Sequence, residues 1–306
     1  MDILTTIIPI FSVIALGWLA RIRGFIPSEF LDPANKLVFH LAIPAMIFSS
    51  ISKGSLKSNF DPNVLAVTLV SLGLFFFLTR AAGLIIHVQK KQFGTFMQSS
   101  FHGNLGYIGL AVAFYFLGDQ GLASASIIAG FIMILQNFMS VIALQDYSTQ
   151  VSWKKNAGNI IIKIIKNPVI VSAIAGILFS GSGIQLPLVI SRSLDILSGM
   201  ALPLALLLIG SSLSFEMMRP RIFFVFSASI MKLILLPGLG LLLYRFRGIG
   251  PENYLPGLIL LASPTATIAY VMAKEMGGDP DFAVAAISFS TLLSSITFSI
   301  WLNLTL

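Results

Sequence analysis

The stretch GNLGYIGL, Gly103–Leu110, interrupts an apolar segment that extends from Phe96 to Gly118. Its three glycines and one asparagine are poor helix formers, so they weaken a helix in the middle of that segment. Irregular backbone at the depth of a bilayer must be buried in protein or line a cavity. The stretch therefore indicates that this segment does more than cross a membrane.

The composition of the whole chain is that of a membrane protein. Of its 306 residues, 56% are hydrophobic and only 10% are charged, whereas soluble domains carry about 25% charged residues. The apolar residues fall into blocks of about 20, the length that crosses a hydrocarbon core of about 30 Å. We therefore predict an all-α, polytopic membrane protein with ten transmembrane helices.

The ten predicted spans are Ile3–Ala20, Ala34–Ile51, Asn63–Val88, Phe96–Gly118, Leu122–Leu144, Asn167–Ser182, Val189–Leu213, Ile222–Tyr244, Leu255–Met276 and Phe282–Leu304. A cleaved signal peptide is the alternative for the first span. It lacks a positively charged start and a small-residue cleavage site, and Arg21 and Arg23 follow it directly, so a membrane span is favoured.

Several classes of site have no support in the sequence. Cysteine is absent, which excludes disulfides and thiolate metal sites. Paired catalytic carboxylates, a His-rich metal motif and a convincing Ser–His–Asp arrangement are all missing from the sequence. We therefore expect no enzyme activity, no cofactor and no metal site.

Lysine and arginine are distributed unevenly over the predicted loops. With the N-terminus outside, the inside loops hold twelve of the nineteen and the outside loops hold five. Positive residues concentrate on the cytoplasmic side of membrane proteins, so both termini are predicted outside the plasma (bacterial inner) membrane. The net charge of +7 is then mostly a topology signal, and no nucleic-acid partner is expected.

The two halves of the chain repeat one another. At a shift of 159 residues, Pro44 falls on Pro203; at a shift of 160, GDQGLASASI (118–127) falls on GDPDFAVAAI (278–287). Each half contains five predicted spans, an odd number, so the second half enters the membrane the other way up. Inverted repeats are typical of secondary transporters, which bind substrate near the midplane between the repeats.

This pattern divides the chain into residues 1–145, the first repeat, and residues 167–306, the second. Between them, residues 146–166 form a predicted cytoplasmic linker. Its stretch SWKKNAGNIIIKIIKN carries lysines around an apolar face, a pattern typical of an interfacial helix. A regulatory docking site is the alternative interpretation.

The opening stretch also has a partner in the repeat, because GNLGYIGL falls on SPTATIAY, Ser263–Tyr270. Glycine and proline in mid-span unwind or kink a helix, and matched interruptions in two halves indicate a transporter site. A pair of packed kinks without a functional role is the alternative. The predicted helix-breaking residues are Gly103, Gly106, Gly109 and Pro264.

Three stretches resemble the auxin efflux carrier family, bacterial relatives of the plant PIN auxin transporters in the bile acid/auxin-type superfamily. They are HGNLGYIGLAVAFYFLGD (102–119), the stretch from NPVIV to IGSSL (167–213), and LASPTATIAY to TLLSS (261–295). The resemblance implies two inverted five-helix repeats, a scaffold and a transport domain, crossed broken helices, a homodimer, and transport of auxin-like anions or small carboxylates. One departure is Ala111, where the family usually has proline.

The predicted site favours an anion. In the fourth and ninth spans, each second half-helix begins at the midplane with free N–H groups and the positive end of its dipole. All twelve acidic residues lie in loops or near span ends, which disfavours a proton or sodium antiporter with a mid-membrane carboxylate. Lys232 lies near the centre of the eighth span and is functional by default. It faces either the substrate or the broken backbone of the ninth span.

Asn104 is the foremost candidate ligand, because it flanks the break and can both donate and accept. Gln136 and Asn137 either complete the cavity or hold helices together. His102 is a possible proton site, with a neutral, hydrogen-bonded histidine as the alternative; Tyr107 and Phe114 are possible aromatic walls. The predicted substrate-binding residues are Asn104, Gly106, Tyr107, Gln136, Asn137, Lys232, Pro264, Thr265 and Thr267.

The sequence therefore predicts a secondary transporter of small organic anions that works by elevator-type or rocking alternating access around the crossing. The main alternative is a sodium-coupled organic-anion symporter of the bile-acid type, which shares the ten-helix inverted architecture. A third possibility is a sensor that binds a ligand without carrying it.

Overall fold

A computed structural model describes residues 3–53, 60–145, 166–216 and 221–305 of the chain. Within these ranges every regular element is a helix, so the predicted all-α membrane class is confirmed. Seven described helices are long and apolar enough to cross a membrane. They are Ile3–Ile22 (α1), Ser28–Lys53 (α2), Pro62–Ile85 (α3), Leu105–Gln145 (α5), Leu188–Ser211 (α7), Ile222–Phe246 (α8) and Pro280–Asn303 (α11).

Four shorter helices complete the described chain: Lys90–Phe101 (α4), Pro168–Ser182 (α6), Pro251–Ala262 (α9) and Ile268–Glu275 (α10). The fourth and ninth predicted spans thus correspond to interrupted segments, α4 with the start of α5, and α9 with α10. The ten-span inverted repeat stays a prediction. The linker prediction falls almost wholly on residues 146–165, which lie outside the described residues.

Several predicted span boundaries are wrong by a few residues. The second span begins at Ser28 rather than Ala34, and the fourth at Lys90 rather than Phe96. Both added turns are polar, and a helix continues through such residues when they lie beyond the hydrocarbon. Hydropathy marks only the apolar part of a helix, so it places these starts too late.

The fourth and fifth predicted spans are joined in α5, with a kink at Gly118. Its φ of 71° and ψ of −165° are non-helical, and L-residues other than glycine rarely adopt this conformation. The kink coincides with the turn expected between those two spans.

Three helices begin with the same local device, an Asp or Asn followed directly by proline. The side chains of Asp61, Asn167 and Asp279 each accept a hydrogen bond from a backbone N–H in the first turn of α3, α6 and α11. Such residues cap a helix N-terminus, and proline suits the first helical position. The dipeptides Asp-Pro and Asn-Pro therefore fix where these helices start.

One group of helices, α1, α2, α6 and α7, packs through small residues. A Cβ atom added to Gly17 of α1 would collide with the backbone of Leu207, and one added to Gly210 of α7 would collide with Ile14. The Ser211 hydroxyl also donates to the Gly17 carbonyl, at 3.0 Å. Close packing of small residues is the usual way in which helices associate in a membrane. We call these four helices the α1–α7 group; α3, α4 and α5 do not belong to it.

The other helices, α3–α5 and α8–α11, pack around the interrupted segments and form the crossing group. Tyr244 of α8 hydrogen-bonds Thr68 of α3 and stacks on Tyr254 of α9, with ring centroids 5.1 Å apart. Trp301 of α11 donates from its indole nitrogen to the Leu233 carbonyl, at 2.8 Å. The hydroxyls of Tyr244 and Thr68 and the indole nitrogen of Trp301 thus each have a partner, as a low-dielectric interior requires.

Candidate functional site

The two interruptions meet in the crossing group as a short antiparallel pair of extended residues. Gly103 bridges Thr265, the Asn104 N–H donates to the Pro264 carbonyl at 2.7 Å, and the Ala266 N–H donates to the His102 carbonyl at 2.9 Å. Backbone that leaves a helix inside a membrane must find new partners. Here each interruption supplies them to the other.

The first interruption is held by Gln136 of α5. Its side-chain oxygen accepts from the Gly103 N–H at 3.1 Å, and its amide nitrogen donates to the Gly103 carbonyl at 3.3 Å. A primary amide offers one acceptor and two donors, so one side chain satisfies both polar groups of this residue. Gln136 is 2% exposed. Its side chain supplies the hydrogen bonds that the backbone of a continuous helix would have given to Gly103.

His102 belongs to the same network and is buried. Its Nδ1 lies 2.7 Å from the Ser140 hydroxyl, which donates to the Gln136 carbonyl at 2.7 Å. This arrangement matches a bonded structural histidine.

The second interruption is held by side chains of two other helices and by a backbone carbonyl of a third. The Ser290 hydroxyl accepts from the Thr265 N–H at 3.1 Å, and the Thr265 hydroxyl donates to the Ser99 carbonyl at 2.8 Å. Lys232 donates from Nζ to the Leu261 carbonyl, at 2.7 Å. Carbonyls in the last turn of a helix have no intrahelical partner, and Lys232 supplies one to α9.

Lys232 also lies beside the first interruption. A Cβ atom added to Gly103 would be 3.3 Å from both Cε and Nζ of this lysine, and Lys232 itself is only 1% exposed. It occupies a π-helical turn, Met231–Leu235, a distortion common at functional sites. An ammonium group has three donors, and one is used by Leu261.

The amide nitrogen of Asn104 is buried and has no hydrogen-bond partner among the described residues, a state that the nearby Ser99 hydroxyl shares. The side chain and backbone of Asn104 together are 5% exposed. An unpaired buried donor costs about 1–3 kcal/mol, and such a group in a native structure calls for an explanation. A bound ligand that accepts a hydrogen bond would provide one.

The other predicted residues of the first interruption lie in a π-helical turn, Leu105–Gly109. A Cβ atom added to Gly106 would contact Met133 and Ile43, and one added to Gly109 would lie 2.7 Å from the Ser263 hydroxyl. Gly109 therefore permits close approach of the second interruption. The Tyr107 hydroxyl donates to Asn35 of α2, at 3.1 Å.

Other predicted residues are not brought to the crossing by their side chains. The Asn137 amide donates to the Met133 carbonyl of its own helix, at 2.7 Å. Thr267 caps α10 without a side-chain hydrogen bond, and Phe114 lines a separate cavity. The contacts place Asn104, Gln136, Lys232, Pro264 and Thr265 together.

Three serines of the crossing were not among the predicted residues: Ser99, Ser140 and Ser290. Ser140 and Ser290 lie in apolar helices and contribute their hydroxyls, whereas Ser99 lies in the more polar α4 and contributes its backbone carbonyl. All three are buried. A serine hydroxyl in an apolar helix usually bonds its own backbone, and every residue has a carbonyl, so composition alone gives no signal. Only knowledge of which helices surround the interruptions would have found them.

The chain is similar in sequence to known membrane transporters along nearly its whole length. Residues 2–302 match the family described as "Membrane transport protein". An uncharacterized transporter of Methanocaldococcus jannaschii is 25% identical over 94% of each chain. A Rhizobium meliloti protein named "Putative malonate transporter" is 26% identical over 97% of this chain and 93% of its own.

A third relative, an uncharacterized transporter of Escherichia coli strain K12, is 24% identical over 97% of this chain and 95% of its own. The match to the family covers nearly every residue of the chain, including both interruptions. The chain therefore belongs to the membrane transport protein family, and the resemblance to auxin efflux carriers, first seen in its sequence motifs, is confirmed.

Proposed function

We propose that this chain is a secondary transporter of small organic anions, either small carboxylates and dicarboxylates or auxin-like acids, across the plasma membrane. The observation that carries the proposal is the unpartnered, buried amide of Asn104 at the crossing of two interrupted helices. One relative carries malonate in its name, which fits a carboxylate substrate.

The chemistry of the crossing suits a negative charge. Asn104 and Lys232 present donors there, and the N-terminal ends of α5 and α10 lie beside the extended residues. Helix N-termini attract anions through free N–H groups and the helix dipole. No aspartate or glutamate contributes to the hydrogen bonds described at the crossing, so an anion would meet no fixed negative charge there.

The transport step that we propose is alternating access of the elevator type. The α1–α7 group would be the scaffold, and the crossing group would carry the substrate site past it. The hydrogen bonds of Gly103, Thr265 and Lys232 join helices within the crossing group, and they would persist while the two groups slide against each other. The hydrogen bond from Tyr107 to Asn35 joins the two groups and would break in that movement.

The assembly that we propose is a homodimer with both termini outside. Several large apolar side chains of α6 and α7 are exposed on the described chain, among them Leu178, Leu188 and Ile196. Lipid or a second copy would cover them, and cross-linking in native membranes distinguishes these two states.

Charge movement on a solid-supported membrane tests the proposed function. The purified protein in liposomes receives malonate or indole-3-acetate, with and without sodium and pH gradients. We expect a saturable current that sodium does not change. A current that requires sodium would instead support the symporter of the bile-acid type.

An electroneutral carrier would give no current, so uptake of radiolabelled malonate and indole-3-acetate is measured on the same liposomes. The variant Asn104→Ala combined with Thr265→Ala serves as the control for the crossing. The proposal fails if this double variant keeps both binding and transport at the level of the parent protein.

A further inference from the structure

A cavity of about 520 Å³ lies away from the crossing, between α2, α5 and α7. Its lining includes the apolar side chains of Met46, Phe114 and Leu202 and the polar side chains of Ser49, Lys53 and Asp195. Small-molecule sites have volumes of about 300–1,000 Å³, mostly apolar walls and a few converging polar groups. The cavity therefore has the size and lining of a binding site.

Two charged residues of the lining, Lys53 and Asp195, form an ion pair between two helices of the α1–α7 group. Lys53 Nζ contacts an Asp195 carboxylate oxygen, which also accepts a hydrogen bond from the Ser49 hydroxyl at 3.3 Å. The side chains of Lys53 and Asp195 are 45% and 52% exposed. An ion pair in contact with water is weak and exchanges readily, so Lys53 is accessible to another anion.

One face of α2 connects this cavity with the crossing. Ile43 lies 3.9 Å from a Cβ atom added to Gly106 in the first interruption. Met46, Ser50 and Lys53 follow at steps of three or four residues and line the cavity. Residues with this spacing share one face of a helix, and ten residues of helix span about 15 Å. The face thus leads from the crossing to the ion pair.

We propose that this cavity is a second binding site for small carboxylates, in which Lys53 receives the carboxylate and Asp195 is a built-in competitor for it. The contact between Lys53 and Asp195 already displays the chemistry that the site would offer to a ligand. Asp119 also lines the cavity, and its charge repels anions. A carboxylate ligand would therefore bind favourably only if it replaces Asp195 at Lys53.

This inference rests on the proposed function, and it assigns a second binding site to the same class of substrate. Binding is measured with malonate by titration calorimetry on the full chain in detergent at low ionic strength. The Asn104→Ala background weakens the crossing site, so that the remaining affinity reports the cavity.

In that background, Asp195→Asn frees Lys53, and we expect malonate to bind about three- to tenfold more tightly. Lys53→Gln should weaken binding at least fivefold, whereas Lys53→Arg should keep most of it. The double variant Lys53→Gln with Asp195→Asn should bind more weakly than Asp195→Asn alone, because the lysine that receives the carboxylate is missing.

Arg192→Gln is the matched control, since it removes one positive charge from an exposed position of the same helix as Asp195. It should leave the affinity unchanged. The inference is overturned if Lys53→Gln and Asp195→Asn both leave the malonate Kd unchanged, or if Asn104→Ala alone removes all binding. In either case a parent protein that still carries malonate leaves the proposed function intact.

If the parent carries indole-3-acetate and not malonate, indole-3-acetate replaces malonate as the probe in the same variants. If the parent neither binds nor carries either acid, the proposed function fails first and the second site fails with it. Thermal unfolding of each variant confirms that it is folded before its affinity is compared.

Discussion

The two interruptions meet at one crossing, yet they satisfy their polar groups in different ways. The first interruption relies on Gln136 for both polar groups of Gly103 and leaves the Asn104 amide nitrogen without a described partner. The second takes its partners from Ser99, Lys232 and Ser290 on three different helices. The comparison separates an interruption with an unpartnered buried donor from one that three other helices hold in place.

The largest effect on folding is expected at Gln136, whose two hydrogen bonds to Gly103 we call the clamp of the first interruption. Gln136→Leu removes the partners of two buried peptide groups, each of which costs about 1–3 kcal/mol when unpaired. We expect a large drop in the thermal unfolding midpoint and loss of transport. Gln136→Glu keeps the acceptor and loses the amide donor. Its unfolding midpoint should lie between those of the parent protein and Gln136→Leu. A Leu variant as stable as the parent would show that the clamp is dispensable.

The next effect is expected at Asn104 and concerns binding rather than stability. A hydrogen bond to a charged ligand is worth about 1.5–3 kcal/mol, so Asn104→Ala should weaken binding at the crossing by roughly 10- to 150-fold. The unfolding midpoint should hardly change, because the amide nitrogen has no described partner to lose. Asn137→Ala is the control, and equal losses in both variants would contradict the distinction.

Substitution of Lys232 tests whether this side chain, which donates to the Leu261 carbonyl, also binds the substrate. Lys232→Met keeps the length of the side chain and leaves the Leu261 carbonyl unpaired, at a cost of about 1–3 kcal/mol. Removal of a buried charge offsets part of this cost. We expect lower stability and a smaller rise in Kd than in Asn104→Ala. A larger rise in Kd than in Asn104→Ala would assign Lys232 to the substrate.

The smallest effect is expected at Thr265, whose hydroxyl donates to the Ser99 carbonyl. Thr265→Val keeps the shape and removes one hydrogen bond, so stability should fall by about 1 kcal/mol with transport retained. Thermal unfolding and malonate uptake on the same preparation measure both quantities. Transport lost without a change in stability would place Thr265 among the ligands.

The sequence predicted the all-α membrane class and the positions of the interruptions, because both depend on local composition. Blocks of apolar residues predict spans, and glycine or proline in mid-span predicts a break. The detailed partners could not be predicted in this way. Gln136 was among the predicted residues as a ligand, and its contact with Gly103 depends on how α5 packs against α4.

The same limit applies to Lys232 and the serines. The sequence left open whether Lys232 faces substrate or broken backbone, and its contact with Leu261 is of the second kind. Ser290 gave no signal, since a serine in an apolar helix usually bonds its own helix, and Ser99 contributes only a backbone carbonyl, which every residue has. Tertiary packing, rather than propensity, decides which of these groups faces the crossing.

The antiparallel pairing of Gly103 with Thr265 also has a consequence for biosynthesis. Thr265 leaves the ribosome about 160 residues after Gly103, so the first interruption enters the bilayer before its backbone partner exists. Gln136 follows Gly103 by only 33 residues and is available to it much earlier. The clamp would thus protect a nascent half-protein from exposing peptide groups to lipid while the ribosome completes the other half.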